Sequence, residues 1–191
     1  VELVRLAKAR GINVTCEVAP HHILLTDSDI PKDNGYFKMN PPLRNKEDQA
    51  ALLVGLLDGT IDLIATDHAP HAKSEKQGGM KNAAFGITGS ETAFSTLYTK
   101  FVKEEKVLSL EQLLALLSDK PAKVFGIENA GVLEPGKNAD VAIFDIEHKN
   151  EIKEADFKSK GVNTPFTGQK VYGETVMTLV DGEVVYQRGT K

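Results

Sequence analysis

The sequence predicts an α/β fold with parallel strands first and a β-rich region last. Helical and strand-like stretches alternate from the first residue, which is typical of parallel β/α units. The clearest strand candidate is the apolar run within residues 61–65, which lies between Gly59 and Pro70 and is too short for a helix. Near the carboxyl end, the dipeptide Asp181-Gly182 between two strand-like stretches indicates a β-hairpin.

Composition excludes several classes of protein. The chain has 191 residues, a formal net charge of -4 and one cysteine. Its acidic and basic residues are interspersed, so no basic patch favours nucleic acid or an anionic membrane. One cysteine cannot form an internal disulfide, and no apolar run has the length of a membrane span. No signal peptide is visible, so we expect a cytoplasmic protein with neither nucleic acid nor membrane as a partner.

The first two elements are a helix and a strand. Residues 1–10 follow a helical pattern that ends at Gly11. The pattern lacks an N-cap signal and Val1 is not methionine, so we interpret the chain as a fragment of something longer. Residues 12–18 alternate between apolar and polar side chains, which predicts a strand. Cys16 lies on the apolar side of that strand, where we expect a core residue rather than a nucleophile.

The next helix and strand lead to the main candidate site. Residues 47–58 predict an amphipathic helix that Gly59 ends, and the following strand runs into Asp67, His68 and His71. A carboxylate and imidazoles in this position can hold a metal, move a proton or bind a substrate. The structural alternative is a loop with a turn-capping aspartate and solvated histidines. The strand context and the second histidine favour a site.

The remaining elements are a loop, three helices and several strands. The polar loop at 72–83 either closes over a substrate or is disordered. Ser90 and Ser109 are expected to cap two helices, the first running to about Glu104, and a short helix follows Pro121. Beyond these helices the sequence becomes strand-like in four stretches, which are 131–135, 139–145, 174–180 and 183–188.

Four motifs in this order carry a family resemblance. They are E-V-A-P-H-H at 17–22, K-M-N-P-P-L-R at 38–44, T-D-H-A-P-H at 66–71 and A-F-G-I-T-G-S-E-T at 84–92. Together they resemble the carboxyl-terminal half of the dihydroorotases, which are metal-dependent amidohydrolases, and the resemblance extends to about Arg188. It implies that residues 1–127 form the carboxyl-terminal part of a β/α (TIM-type) barrel, and that residues 128–191 form part of a small β-sandwich domain.

The same resemblance implies a function. The expected protein is a zinc-dependent cyclic amidohydrolase that interconverts N-carbamoyl-L-aspartate and dihydroorotate in de novo pyrimidine (UMP) biosynthesis. Asp67 is assigned as metal ligand and acid/base, and Asn40, His71, Phe85 and Gly86 as substrate contacts. On physical grounds alone, Asn40 could equally cap a turn. The other metal ligands of the family match nothing in this chain, so we expect the chain to be inactive alone.

Four further residues near these motifs have open roles. Glu17 ends a strand and is either solvated or, as in some relatives, close to an additional metal. We interpret the adjacent His21 and His22 as structural or as supports of the site. His68 is interpreted as the residue that holds Asp67 in place.

Two alternative functions stay open. A hydrolase of hydantoins or dihydropyrimidines would share the scaffold and the metal chemistry, although Asn40, His71 and the Phe85-Gly86 segment argue against it. A non-catalytic dihydroorotase-like subunit that supports aspartate transcarbamoylase is the other alternative. The retained Asp67 and His71 argue against it, but the missing metal ligands keep it open. We expect a homodimer and an amino-terminal half of the same protein as partners, with aspartate transcarbamoylase as a further candidate. The sequence does not decide the number of metal ions.

Overall fold

The computed structural model describes residues 1–189, which form two packing units. The first unit comprises Val1–Ala93 and Glu151–Gln169, and the second comprises Phe94–Asn150 with the residues from Lys170 onward. Residues 190 and 191, the end of the predicted 128–191 domain, lie outside the described part. Packing units are a different kind of division from family domains, so the boundary after residue 127 stays a prediction.

The helices of the first unit follow local signals in the sequence. Asn45 caps the longest one by accepting a hydrogen bond of 2.9 Å from the Asp48 N–H, and Gly59 follows its end with a φ of 80°. The predicted helices at 1–10 and 47–58 are therefore confirmed to within two residues. The four α-helices of this unit are α1 (Glu2–Ala9), α2 (Pro20–Leu24), α3 (Lys46–Leu57) and α4 (Gly79–Asn82).

The buried face of α3 differs from the predicted one. The sequence pattern places Val54 and Leu57 on the apolar face, but their exposed fractions are 54% and 48%, whereas Gly55 and Leu56 are buried. A Cβ atom on Gly55 would lie only 2.8 Å from the Val1 side chain. The missing side chain of Gly55 lets this face of the helix approach its neighbours closely, which an apolar pattern cannot indicate.

Two short strands of the first unit are parallel, as predicted. β1 (Glu17–Val18) pairs with β2 (Leu63–Ile64), and a parallel bridge joins His68 to Ile87 farther along. Regular pairing covers only the end of the predicted strand at 12–18, and Ile12 is 55% exposed. Three successive segments, which contain β1, β2 with His68, and Ile87, nevertheless lie side by side. This is the arrangement that brings strand ends together at one edge.

The helices of the second unit include one with a correctly predicted cap and one with a wrong cap. Ser109 accepts a hydrogen bond of 3.2 Å from the Gln112 N–H, as expected. Ser90 is not a cap, because the helix begins later, at Ala93, and the Ser90 hydroxyl lies 3.3 Å from Thr66 Oγ1. The α-helices are α5 (Ala93–Leu97), which continues as a π-helix over Tyr98–Glu104, α6 (Leu110–Leu114), which continues as a π-helix over Ala115–Asp119, and α7 (Lys120–Phe125).

The second unit also holds a three-stranded antiparallel sheet. Its strands are β3 (Val141–Asp145), β6 (Glu174–Val180) and β7 (Glu183–Gln187), with β6 in the centre. Asp181 and Gly182 turn the chain with φ values of 51° and 81°, which confirms the predicted hairpin. The two remaining strands are β4 (Asn150–Glu151) and β5 (Lys170–Val171).

The predicted strand at 131–135 is wrong. Gly131 has a φ of 88°, and a Cβ atom on it would lie 2.7 Å from Ala122 of α7. The chain therefore packs against a helix in a conformation that a strand cannot adopt. Within the described 189 residues, no helix combines the length and the hydropathy that crossing a membrane requires.

Candidate functional site

An open cavity of about 740 Å³ lies in the first unit beside β1 and β2. Its lining includes Glu17 of β1, Asp67 beyond β2, and the polar side chains of His22, Asn40 and Arg44. Two of the residues that the sequence singles out, Asp67 and Asn40, therefore share one cavity. The volume is within the range of cavities that bind small molecules.

Asp67 has a constrained backbone and an unpaired side chain. Its φ of 49° is left-handed, a conformation that aspartate tolerates better than most residues. The residue is exposed, and across residues 1–189 its carboxylate makes no hydrogen bond or ion pair. The backbone thus fixes the position from which the Asp67 side chain extends, and the carboxylate oxygens stay available to a ligand. Such a group can accept a proton or bind a cation.

Asn40 is exposed at the start of a rigid turn. The preceding Met39 is 1% exposed and anchors the segment, and the Asn40–Pro41 peptide bond is cis. His22 donates from Nε2 to the Pro41 carbonyl over 2.8 Å, which ties this turn to α2. The Asn40 amide has no partner of its own in the part of the chain that the structure describes. His22 therefore supports the segment that presents Asn40.

His68 is bound to segments other than the one expected. Its Nδ1 accepts hydrogen bonds from the backbone N–H groups of Gly89 (3.2 Å) and Ser90 (3.1 Å). The proton of the neutral ring must then be on Nε2, which lies 3.1 Å from Ser159 Oγ and donates to it. The expected hydrogen bond from His68 to Asp67 is not formed. His68 instead joins two distant segments of the first unit.

His71 and Phe85, two of the expected substrate contacts, lie close together, but in this structure their contact is with each other. The His71 Nε2 atom lies 2.9 Å from the Phe85 carbonyl and must donate to it, because a carbonyl only accepts. The His71 Nδ1 atom lies 3.6 Å from the Glu75 carboxylate. The Phe85 ring is 57% exposed, and Lys38 Nζ lies 4.4 Å from its centroid.

Gly86 permits a close backbone approach, but the approaching group belongs to the protein. Its φ is 108°, and a Cβ atom there would lie 2.4 Å from the Cβ of Ala69. Its N–H donates to the Lys38 carbonyl over 3.0 Å. The Gly86 amide is therefore not free to donate to a substrate in this conformation, and the expected substrate contact of Gly86 would have to use another part of the residue.

Two buried polar residues that sequence reasoning missed hold these segments. Lys76 is 3% exposed and donates to the carbonyls of Lys38 (3.2 Å), Ala84 (2.7 Å) and Gly86 (2.8 Å). Burial, with a smaller contribution from the nearby charge of Lys38, lowers the pKa of Lys76 to about 8. The second residue is Asn163, which is 1% exposed. Neither occurs in a pattern that indicates burial.

The surroundings of His21 and Cys16 agree with structural roles for both residues. His21 is 1% exposed, and its Nε2 has no hydrogen-bond partner among residues 1–189. Burial and the neighbouring His22 lower the pKa of His21 to about 3, so the ring is neutral near pH 7. Cys16 has its Sγ 3.3 Å from the Thr60 carbonyl, and burial raises the pKa of the thiol. A protonated thiol agrees with the interpretation of Cys16 as a packing residue.

The described residues can supply one ligand of a metal site but not a complete set of ligands. No group of three or more His, Cys, Asp or Glu side chains in the described residues could hold a metal ion. A catalytic zinc usually takes three protein ligands and a water. The free carboxylate of Asp67 suits one of these positions, and residues 1–189 form no group that supplies the others.

Comparison with protein families gives one match over nearly the whole chain. The sequence profile of the amidohydrolase family matches residues 1–185. Among curated proteins, the chain is 87% identical over 191 residues to a dihydroorotase of Lactobacillus johnsonii. It is 65% identical over 191 residues to a dihydroorotase of Ligilactobacillus salivarius. The chain spans 45% of the length of the first relative and 44% of the second.

Solved structures give a related match. The chain resembles an L-hydantoinase (dihydropyrimidinase) from Arthrobacter aurescens with a TM-score of 0.90 and 34% identity, covering 99% of this chain and 43% of that one. It resembles a D-hydantoinase (dihydropyrimidinase) from a Thermus species with a TM-score of 0.85 and 26% identity, again covering 99% and 43%. The fold of the chain is therefore that of part of a TIM-barrel-type hydrolase.

Proposed function

Because the chain belongs to the amidohydrolase family, we propose that the complete natural protein carrying it interconverts N-carbamoyl-L-aspartate and dihydroorotate in pyrimidine (UMP) biosynthesis. The observation that carries this proposal is the 87% identity over all 191 residues to a protein named dihydroorotase. The chain spans 45% of that relative, so the activity is proposed for the complete protein.

Asp67 is the residue that we propose as metal ligand and acid/base. A bound zinc would polarise the ring amide and lower the pKa of a bound water towards ~7. Asp67 would take a proton from the attacking water and give it to the ring nitrogen as the C–N bond breaks. Its exposed carboxylate suits this task, because among the described residues no partner competes for its oxygens. The additional zinc ligands would come from other parts of the complete protein.

The proposed substrate contacts differ in how accessible they are. Asn40 lines the cavity with Asp67, and its amide can donate to a substrate carboxylate. His71 would use Nδ1, because Nε2 is bonded to the Phe85 carbonyl. Phe85 would contribute its exposed ring, while Gly86 would act through the position of its backbone.

The second candidate is a hydrolase of hydantoins or dihydropyrimidines. It is favoured by the TM-score of 0.90 to a structure described as an L-hydantoinase (dihydropyrimidinase). Both candidates open a cyclic amide, so they differ in the substrate and not in the class of reaction. The identity of 87% to a dihydroorotase, against 34% to this hydantoinase, favours dihydroorotate.

A substrate panel tests this choice. The complete natural protein is assayed with dihydroorotate, hydantoin and dihydrouracil, and its metal is measured by elemental analysis. We expect kcat/KM for dihydroorotate to exceed the others by at least about 100-fold, since a site with polar groups for a carboxylate rejects analogues that lack it. A preference for either uncharged ring would support the second candidate. No turnover of any of the three would favour a non-catalytic subunit.

The chain alone is proposed to be inactive, because its described residues lack a complete group of metal ligands. Purified residues 1–191 should bind zinc weakly and show no turnover of dihydroorotate. Stoichiometric zinc with turnover within about tenfold of the complete protein would contradict this, since a single carboxylate cannot replace the usual ligand set. A homodimer, aspartate transcarbamoylase as a partner and a cytoplasmic location remain predictions.

A further inference from the structure

Asn163 uses its whole hydrogen-bonding capacity inside the first unit. Its Oδ1 accepts from the His71 backbone N–H (2.7 Å) and from Thr88 Oγ1 (2.9 Å). Its Nδ2 donates to the carbonyls of Ala69 (3.0 Å) and Gly86 (3.2 Å). An amide offers two donors and a carbonyl with two lone pairs, so this side chain is fully satisfied.

These hydrogen bonds connect two of the three segments that carry the proposed substrate contacts. Ala69 and His71 belong to the loop after Asp67, and Gly86 belongs to the segment that follows Phe85. Asn163 lies more than 70 residues farther along the chain, with a sequence separation of 92 from His71 and 77 from Gly86. The two segments also meet directly, through the hydrogen bond of His71 to the Phe85 carbonyl and the bridge of His68 to Ile87. The buried side chain of Asn163 adds four hydrogen bonds to this contact and restricts how the two segments can move relative to each other.

The backbone next to Asn163 makes the same connection. The Thr88 N–H donates to the Asn163 carbonyl over 3.0 Å. A Cβ atom on Gly161 would lie 2.6 Å from the His71 backbone nitrogen, so only glycine permits this approach. The segment is thus built to lie directly against the backbone of His71.

We propose that Asn163 is a positioning residue for substrate recognition, acting by holding His71 and Gly86 in a fixed relation. This inference rests on the proposed function, because it needs His71 to contact the substrate. Asn163 is 1% exposed and, like His71 and Gly86, is not among the residues that line the cavity of Asp67 and Asn40. It would therefore act on the substrate through the position of His71 and not by contact.

The substitution Asn163→Asp tests the donor half of the side chain. An aspartate has the same size and can still accept from His71 and Thr88, but it cannot donate to the carbonyls of Ala69 and Gly86. We expect KM for dihydroorotate in the complete protein to rise about tenfold, with kcat within about threefold and metal content unchanged. The matched control is Asn13→Asp at an exposed position, which should leave both constants unchanged.

A double-mutant cycle separates positioning from general stability. If Asn163 acts through the His71 side chain, then Asn163→Asp should raise KM by no more than about twofold in a His71→Ala background. A full tenfold increase in that background would overturn the proposal, since the two effects would then be independent. An unchanged KM in the single variant, or a loss of metal, would overturn it as well.

A milder variant covers the case in which Asn163→Asp does not fold. Thr88→Val removes the hydroxyl that donates to Asn163 Oδ1 (2.9 Å) and also lies 3.2 Å from the Gly161 carbonyl. It should raise KM about threefold, and Thr88→Ser should restore it. An unchanged KM in Thr88→Val would overturn the proposal. Wild-type protein that hydrolyses hydantoin or dihydrouracil instead of dihydroorotate would overturn only the proposed substrate, and the cycle is then measured on the ring that is hydrolysed. Wild-type protein inactive on all three rings overturns both.

Discussion

Two sets of polar residues in the first unit differ in their exposure to solvent and in their hydrogen bonds. Asp67 and Asn40 line the cavity, are exposed, and have no side-chain partner among residues 1–189. Asn163 and Lys76 are buried, and their side chains make four and three hydrogen bonds, respectively, to neighbouring segments. Buried polar groups must be satisfied within the protein, whereas groups that act on a ligand have to remain available to it.

This difference separates the expected effects of substitution. A change at the cavity should reduce activity with little effect on the free energy of unfolding. A change in the buried set should reduce stability, because it leaves carbonyl groups without donors.

The largest effect on stability is expected for Lys76→Met in the complete natural protein. Methionine fills a similar volume but removes three hydrogen bonds from a charged donor, so the free energy of unfolding should fall by about 2–4 kcal/mol. The Ala84 carbonyl loses its donor, whereas the carbonyls of Lys38 and Gly86 keep one hydrogen bond each. Denaturant unfolding measures this, with Lys81→Met at an exposed position as the control. A loss below about 0.5 kcal/mol, the usual size for a surface substitution, would mean that these hydrogen bonds do not hold the fold.

The same lysine gives stability a pH dependence. Its pKa is about 8 in the folded protein against 10.5 as the ordinary value. The unfolded chain binds more protons between these values, so the contribution of Lys76 to stability is full above pH 10.5 and is lost as pH falls through about 8. The stability difference between wild type and Lys76→Met should therefore widen from pH 8 to pH 10. A constant difference would contradict the lowered pKa.

A smaller change in stability is expected from His21. Its pKa is about 3 in the folded protein against an ordinary 6.5, so its contribution is full above pH 6.5 and is lost as pH falls towards 3. Between pH 8 and pH 5, wild type should lose about 2 kcal/mol more stability than His21→Leu, which cannot titrate. Parallel pH profiles for the two proteins would show that His21 is not buried in its neutral form.

The smallest expected effect is on substrate binding by His71. We expect His71→Ala to raise KM for dihydroorotate about tenfold, or about 1.4 kcal/mol, with kcat and zinc content unchanged. Steady-state kinetics and elemental analysis measure these quantities. If the variant purifies without zinc, His71 is a metal ligand and belongs with Asp67 among the residues that act on a ligand.

Elements with local signals could be predicted from the sequence. The helix at 47–58 and the hairpin at Asp181-Gly182 are correct, because capping residues and turn residues act within a few positions of themselves. The predictions of a helix cap at Ser90 and of a strand at 131–135 were wrong for the opposite reason. The Ser90 hydroxyl lies against Thr66 and the helix begins only at Ala93, while α7 packs against Gly131, so distant partners override the local preference.

In the candidate site, too, some features could be predicted from local sequence signals and others could not. The strand-end position pointed to Asp67 as a site residue, and Asp67 lines the cavity together with Asn40, which the family resemblance implied as a substrate contact. The hydrogen bonds of Asn163 and Lys76 could not be predicted, because burial of a single polar side chain leaves no periodic pattern. For the same reason, the sequence could not show that the Gly86 N–H is already bonded.

The central claim is that the unpaired carboxylate of Asp67 carries the reaction. The most direct measurement is kcat/KM for dihydroorotate in the Asp67→Asn variant of the complete natural protein, with thermal unfolding recorded alongside and Asp27→Asn at an exposed position as the control. We expect a loss of at least roughly 10²–10⁴-fold, as for removal of a general base, with an unchanged unfolding midpoint and full activity in the control. Activity within about tenfold of wild type would remove Asp67 from the reaction and contradict the account.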